Sequence, residues 1–273
     1  MKLAINQATL MKTPMETFIK AISQAGFDGV ELRRDQTFDF LKNHTVNDLN
    51  KLLVNNNLEC ITFNAVELFS LCPEDEFKRI LDYTERLMAI GNQIGCDMII
   101  TVPSFLEDPH MSNLKIISQT VDRLKIIAEL AEKYDFKLGF EPLGFPNCSV
   151  RKVEMALKII EHKDLPDMGL VIDTFHYFVG EHSIEELETI ELEKLWLIHI
   201  NDAIEKPYKE LQDSHRVLPC QGFFDLEMFI NKLKDIGYNK WISLELFNEQ
   251  IWDEDPYKVA KEAMESLKRL LNI

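Results

Sequence analysis

Eight short apolar runs recur along the chain, and the segments between them carry apolar residues at helical spacing. The runs are KLAIN (2–6), GVELR (29–33), LECITFN (58–64), MIITVP (98–103), KLGFEP (137–142), MGLVID (168–173), LWLIHIN (195–201) and WISLEL (241–246). Runs of this kind alternating with amphipathic segments such as METFIKAISQAGF and LKIISQTVDRLKIIAELAEKY are the pattern of repeated strand–helix units. Thr45 or Ser149 can cap a helix start, and Gly26, Gly95 and Gly237 fall where a left-handed helix stop is wanted.

Eight such units predict an α/β fold, a closed (β/α)8 TIM barrel. The chain has 273 residues, close to the roughly 250 of a typical barrel, and no Pro/Gly/Ser-rich linker divides it, so residues 1–273 are expected to form a single TIM-barrel domain. An open doubly wound sheet is the second architecture. It is weakened by the first turn, KLAINQATL, which lacks the glycines of a dinucleotide-binding G-x-G-x-x-G.

The formal net charge of -16 opposes binding to phosphate backbones and anionic lipid, so no nucleic-acid or membrane partner is expected. Five cysteines with no C-x-x-C pair read as reduced thiols. MKLAINQATL is too short and polar for a signal peptide, and no apolar run reaches about 18 residues, which together predict a soluble cytoplasmic protein.

In a barrel, chemistry gathers at the carboxyl ends of the strands. Glu141 ends GFE, Asp173 ends LVID, His199 lies near the end of LIHIN, and Glu245 ends SLE, on the fifth to eighth runs. Any one of these alone has an ordinary explanation: a core histidine bonded to a carbonyl, a strand-end ion pair, a helix cap. Four at the same end of successive strands point to a shared cause. Three converging carboxylates would raise one another's pKa unless a cation lay between them. The oxygen-rich, single-nitrogen set suits one divalent ion, Mn²⁺, Mg²⁺, Co²⁺ or Zn²⁺, without choosing among them.

These motifs, with MKLAINQAT, LGFEPLGFPNC, GLVIDTFHYF, LIHINDA, HRVLPCQGFFDLE and SLELF, resemble the sugar-phosphate isomerase/epimerase superfamily with a xylose-isomerase-like barrel. Within it the chain is most similar to the bacterial 2-keto-myo-inositol (inosose) isomerases. The resemblance implies metal ligands at Glu141, Asp173, His199 and Glu245, and substrate contacts at His176, in DTFH, and at Arg216. Without the resemblance, His176 reads as a loop residue capping the next helix and Arg216 as a solvated charge. One departure concerns RVLPCQG, where Cys220 stands in place of an expected glycine; at positive φ a cysteine would be strained, and the Arg216 loop would follow another path. Cys220 has no basic partner beyond His215, and nearby acid would raise its pKa, which argues against a nucleophile.

The implied function is metal-dependent isomerisation of a polyol ketone, most specifically an inosose, by proton transfer through a metal-bound enediolate, with Glu141 and Glu245 as the catalytic acid/base pair. This would be a step of inositol catabolism with a small polyol or keto-sugar as partner, with manganese among the suitable ions; a homo-oligomer is left open. Asn6 and Asn64 also fall near strand ends where they can shape the pocket, whereas Phe247 reads first as rim packing. The alternatives are an inosose dehydratase or other ketose epimerase on the same barrel, or a noncatalytic sugar-binding protein.

Overall fold

The computed structural model describes residues 1–273. Its strands are β1 (Lys2–Asn6), β2 (Gly29–Arg33), β3 (Glu59–Glu67), β4 (Met98–Val102), β5 (Lys137–Phe140), β6 (Gly169–Asp173), β7 (Leu195–Ile200), β8 (Asp202–Ala203), β9 (Arg216–Val217) and β10 (Trp241–Leu244). All eight runs form strands. These eight, β1–β7 and β10, close into a parallel barrel in the order β1-β2-β3-β4-β5-β6-β7-β10, and the β1–β10 pairing completes the ring. An open doubly wound sheet is thereby excluded. The short β8 and β9 form a separate antiparallel pair above the barrel's carboxyl end.

The helices are α1 (Met15–Ala25), α2 (Arg34–Phe40), α3 (Val46–Asn55), α4 (Glu74–Ile94), α5 (Asn113–Lys133), α6 (Val153–Ile160), α7 (Thr174–Val179), α8 (Leu226–Asp235) and α9 (Pro256–Leu271). Thr45 caps α3 in a reciprocal capping box with Asp48, as its position suggested. Ser149 caps nothing: Lys152 occupies the N-cap of α6, and the buried Ser149 hydroxyl lacks a hydrogen-bond partner. Gly26 and Gly95 end α1 and α4 at φ 96° and 75°, a region open to glycine at no steric cost.

Strand periodicity divides the core in two. Side chains facing outward join the helices in one large apolar cluster, while Ala4, Ile61, Ile100, Val171 and Leu197 form a smaller one inside the barrel. Gly169 makes room there for the Trp196 ring, which a Cβ would approach to 1.8 Å. The next inward positions up are polar: Asn6, Glu31, Asp173, His199 and Ser243 are all buried. The barrel is thus filled at its base and polar at its mouth.

Candidate metal centre

Register sets the heights of the polar residues. Asp173 pairs with His199 across β6 and β7, and His199 pairs with Ser243 across β7 and β10. Glu245 therefore stands one inward position above His199 rather than level with it, a consequence of the stagger that barrel closure imposes. Glu141 and Glu245 each lie one residue past their strand, in the βα loop.

The structure brings all four strand-end residues together. One ligand atom from each of Glu141, Asp173, His199 and Glu245 lies within 4.8 Å of the other three, and all four residues are buried. Donors about 2.1 Å from a common ion are separated by roughly 3–4 Å, so the group is near metal-binding spacing. The histidine adds a second observation. Its Nε2 lies 3.1 Å from Glu31 and its Nδ1 3.0 Å from Glu141 Oε1 and 3.7 Å from Glu245 Oε2. With Nε2–H donating to Glu31, Nδ1 turns a lone pair toward two carboxylates, an arrangement that a cation makes favourable. The residues present fit one divalent ion.

Hydrogen bonds fix the carboxylates differently. Asp173 Oδ1 accepts from the His176 backbone N–H at 3.0 Å, capping α7, while Oδ2 accepts from Asn201 Nδ2 and from Arg216 Nη1, each at 2.8 Å. Glu245 Oε1 accepts from Asn6 Nδ2 at 2.8 Å and Asn64 Nδ2 at 3.2 Å, and Oε2 from Arg216 Nη1 at 3.0 Å. Glu141 has only its contact with His199; its Oε2 has no protein partner. Glu31, in turn, accepts from the Ser243 hydroxyl.

Burial dominates the electrostatics. Desolvation pushes the Glu245 carboxyl up to about 8, and the neighbouring Glu141 adds to the rise against the pull of His199 and Arg216. Burial opposes charge on His199 as well, but the carboxylates of Glu31, Glu245 and Glu141 hold it well above the ordinary imidazole range. For Asp173, burial is outweighed by Arg216 and the nearby histidines, and the carboxyl is lowered. Without an ion, protons and Arg216 supply the positive charge this cluster needs.

Arg216 is no solvated charge. It is 1% exposed, its Nη2 lies 3.0 Å from His176 Nε2, and Asp213 accepts from its Nε and Nη2 at 3.0 and 2.6 Å. With Nε2 accepting from Arg216, His176 is neutral and carries its proton on Nδ1, a buried atom with no partner in the protein. Burial also lowers the His176 pKa, consistent with a neutral ring.

Cys220 does have φ 66°, as expected of a residue at a glycine position, yet Arg216 still reaches the cluster. Asp202 explains how the loop is held: its carboxylate accepts from the N–H groups of Ala203, Gly222 and Phe224 at 2.9–3.0 Å. Asn201 and Asp202, adjacent in sequence, thus serve the carboxylate–histidine cluster and the Arg216 loop respectively. The Cys220 thiol is exposed and burial nearby raises its pKa, which does not favour a nucleophile.

Above the cluster opens a cavity of about 320 Å³. Glu141, Glu245, His176 and Arg216 line it; Asp173 and His199 do not. Phe247 lines it too, rather than packing on the rim alone, and its ring centroid is 5.4 Å from the Arg33 guanidinium and 5.2 Å from that of Arg216. Glu31, Arg33, Glu67 and Asp213 belong to the site and were not singled out by sequence reasoning. Glu31 and Arg33 sit at alternate positions near the end of GVELR, the same strand-end signal that marked the other four.

A model of the xylose isomerase-like TIM barrel family matches residues 19–270. The inosose isomerase of Bacillus velezensis is 28% identical over 272 residues, covering 98% of this chain and 97% of that protein. The 3-dehydroshikimate dehydratase of Pseudomonas aeruginosa is 26% identical over 85% of this chain and 36% of its own length. The crystal structure of the IOLI protein with a zinc atom superposes with a TM-score of 0.93 at 27% identity, covering 100% of this chain and 98% of that one. No helix of this chain is long and apolar enough to cross a membrane.

Proposed function

The chain belongs to the xylose isomerase-like TIM barrel family, and on that footing we propose that it is a divalent-metal-dependent isomerase of a polyol ketone, specifically 2-keto-myo-inositol. The observation that carries this reading is the division of one cluster into two faces. Asp173 and His199 lie behind, held by Asn201 and Glu31, while Glu141 and Glu245 reach the cavity. We assign metal-holding to all four and proton transfer to the two glutamates.

A bound divalent ion would supply electrostatic stabilisation of negative charge on the two substrate oxygens. The chain does the rest. One glutamate removes the proton from the carbinol carbon, and the electron pair of that C–H bond forms the C=C bond of an enediolate. The hydroxyl proton passes to the former carbonyl oxygen, and protonation of the former carbonyl carbon restores a ketone one position along the ring. Glu141, with its unpartnered Oε2, suits proton acceptance; Glu245, fixed by Asn6, Asn64 and Arg216, flanks the same cavity. The free Nδ1–H of His176 is available to a substrate oxygen. Arg216, whose five N–H groups are engaged by Asp173, Glu245, Asp213 and His176, orients those groups and reaches a substrate oxygen only by exchanging one of these bonds.

Charge supports a neutral substrate. A divalent ion leaves one negative charge on three carboxylates, and the cavity's arginines are already paired, Arg216 with Asp213 and Arg33 with Glu67. No cation is spare for a phosphate or carboxylate. The identity of the ion follows from supply as much as from these ligands; zinc and manganese both suit them.

Incubation of the protein with Mn²⁺ or Zn²⁺ and 2-keto-myo-inositol in D₂O tests the reading. The expected product has the substrate's skeleton with one solvent deuterium on carbon. Loss of water would instead assign a dehydratase, and tight binding without C–H exchange would leave only a sugar-binding protein.

A further inference from the structure

The cavity has a second polar wall away from the metal cluster. Arg33, at the end of β2, donates from Nη2 to Glu67 Oε1 at 2.8 Å and from Nη1 to Asn64 Oδ1 at 2.7 Å. The arginine side chain is 15% exposed and the glutamate 38%, and both line the cavity beside Phe247. Leu68, next to Glu67, has φ 59°, a backbone conformation costly for a residue with a Cβ and one that recurs at ligand sites.

We propose that Arg33 and Glu67 form a hydroxyl-recognition subsite for the edge of a polyol ring remote from the reacting carbons. This rests on the polyol-ketone reading of the cavity. A guanidinium has five N–H donors, of which two are engaged here, and Glu67 Oε2 accepts from no protein group. Donor and acceptor thus stand side by side, the complement of a vicinal diol, in which each hydroxyl both donates and accepts. The pair is neutral as a unit and suits an uncharged ligand. The Phe247 ring, which lines the same cavity, offers an apolar surface to the polyol ring's C–H groups. Fold stability does not account for the pair, since a partly exposed ion pair contributes little.

The test compares two substrates of the metal-loaded protein. 2-Keto-myo-inositol carries hydroxyls all round the ring; 2-hydroxycyclohexanone carries only the reacting pair. In Arg33→Met and in Glu67→Gln, kcat/KM for the inosose relative to 2-hydroxycyclohexanone should fall about tenfold, mainly through KM, the effect of losing a charge-assisted hydrogen bond to substrate. An unchanged ratio in both variants overturns the subsite. So does a fall in kcat on both substrates in Arg33→Met with Glu67→Gln silent, which would make Arg33 a support for Asn64 and Glu245. Wild-type exchange of 2-hydroxycyclohexanone with no preference for the inosose overturns the subsite while sparing the isomerase chemistry. Failure of the wild type on both substrates overturns the parent reading and the subsite together.

Discussion

Glu31 and His199 are separated by 168 residues in the chain and lie 3.1 Å apart inside the barrel. The contact fixes which imidazole nitrogen keeps its proton, and so which one is free to bind an ion. Glu31 is itself held by Ser243, so the histidine is oriented through a chain of three buried side chains. Glu31→Gln should therefore weaken metal binding about 10- to 100-fold. Competition with a chromophoric chelator measures this, and ¹⁵N chemical shifts of His199 should show the Nε2–H form losing dominance.

Stability of the metal-stripped protein should fall as pH rises from about 6.5 to 8; below that range His176, whose pKa burial lowers, acts in the opposite sense. Burial raises Glu245 to about 8, so the native state keeps a proton that the unfolded chain releases near the ordinary carboxylate value. His199 acts in the same sense above its ordinary range, because its surrounding carboxylates raise it despite burial. For both groups the stabilisation is present at low pH and is lost as pH passes the native pKa. A bound ion takes the place of those protons, so the rise in Tm on adding Zn²⁺ or Mn²⁺ should grow between pH 6 and pH 8. Thermal melts with and without chelator at each pH report both slopes.

Asp202→Ala should destabilise the protein by about 2–3 kcal/mol, since the backbone N–H groups of Ala203, Gly222 and Phe224 lose one charged acceptor. The loss should extend to activity, because this loop runs on from β9, which carries Arg216. Urea unfolding gives the first effect and KM at saturating metal the second.

Cys220→Gly should do the reverse. A left-handed conformation costs a non-glycine residue about 1–2 kcal/mol, part of which glycine's greater unfolded-state freedom takes back, leaving a gain of about 0.5–1 kcal/mol. KM should stay near wild type, because glycine adopts the same φ and leaves the course of the turn, and with it Arg216, unchanged.

The barrel was legible because each strand is an uninterrupted apolar run and each helix an amphipathic one. Boundaries moved by a residue or two at most strands, and β3 extended further, to Glu67, past the point where LECITFN loses its apolar character. Glu141, Asp173, His199 and Glu245 were readable because all four fall at the same end of successive apolar runs, a coincidence that their separate structural explanations do not produce. Glu31 escaped for a physical reason: between Val30 and Leu32 it reads as the wet face of a half-buried strand, and only closure of the ring turns that face inward. Arg33 with Glu67, and Asp202 with the returning loop, depend on register and on chain reversal, neither of which is local. Ser149 shows the opposite error, a good capping residue whose helix begins four residues later.

Closure between the first strand and the last has a consequence for the protein's birth. Glu245 follows β10, its partner Asn6 ends β1, and Ser243, which steadies Glu31, lies on β10 itself. A growing chain that has not yet released Trp241–Leu244 from the ribosome has three of the four donors and an open seam in the barrel. On the proposed metal reading, ion binding would be completed only with the arrival of that last strand, and a chain truncated before it would be left without a sealed site.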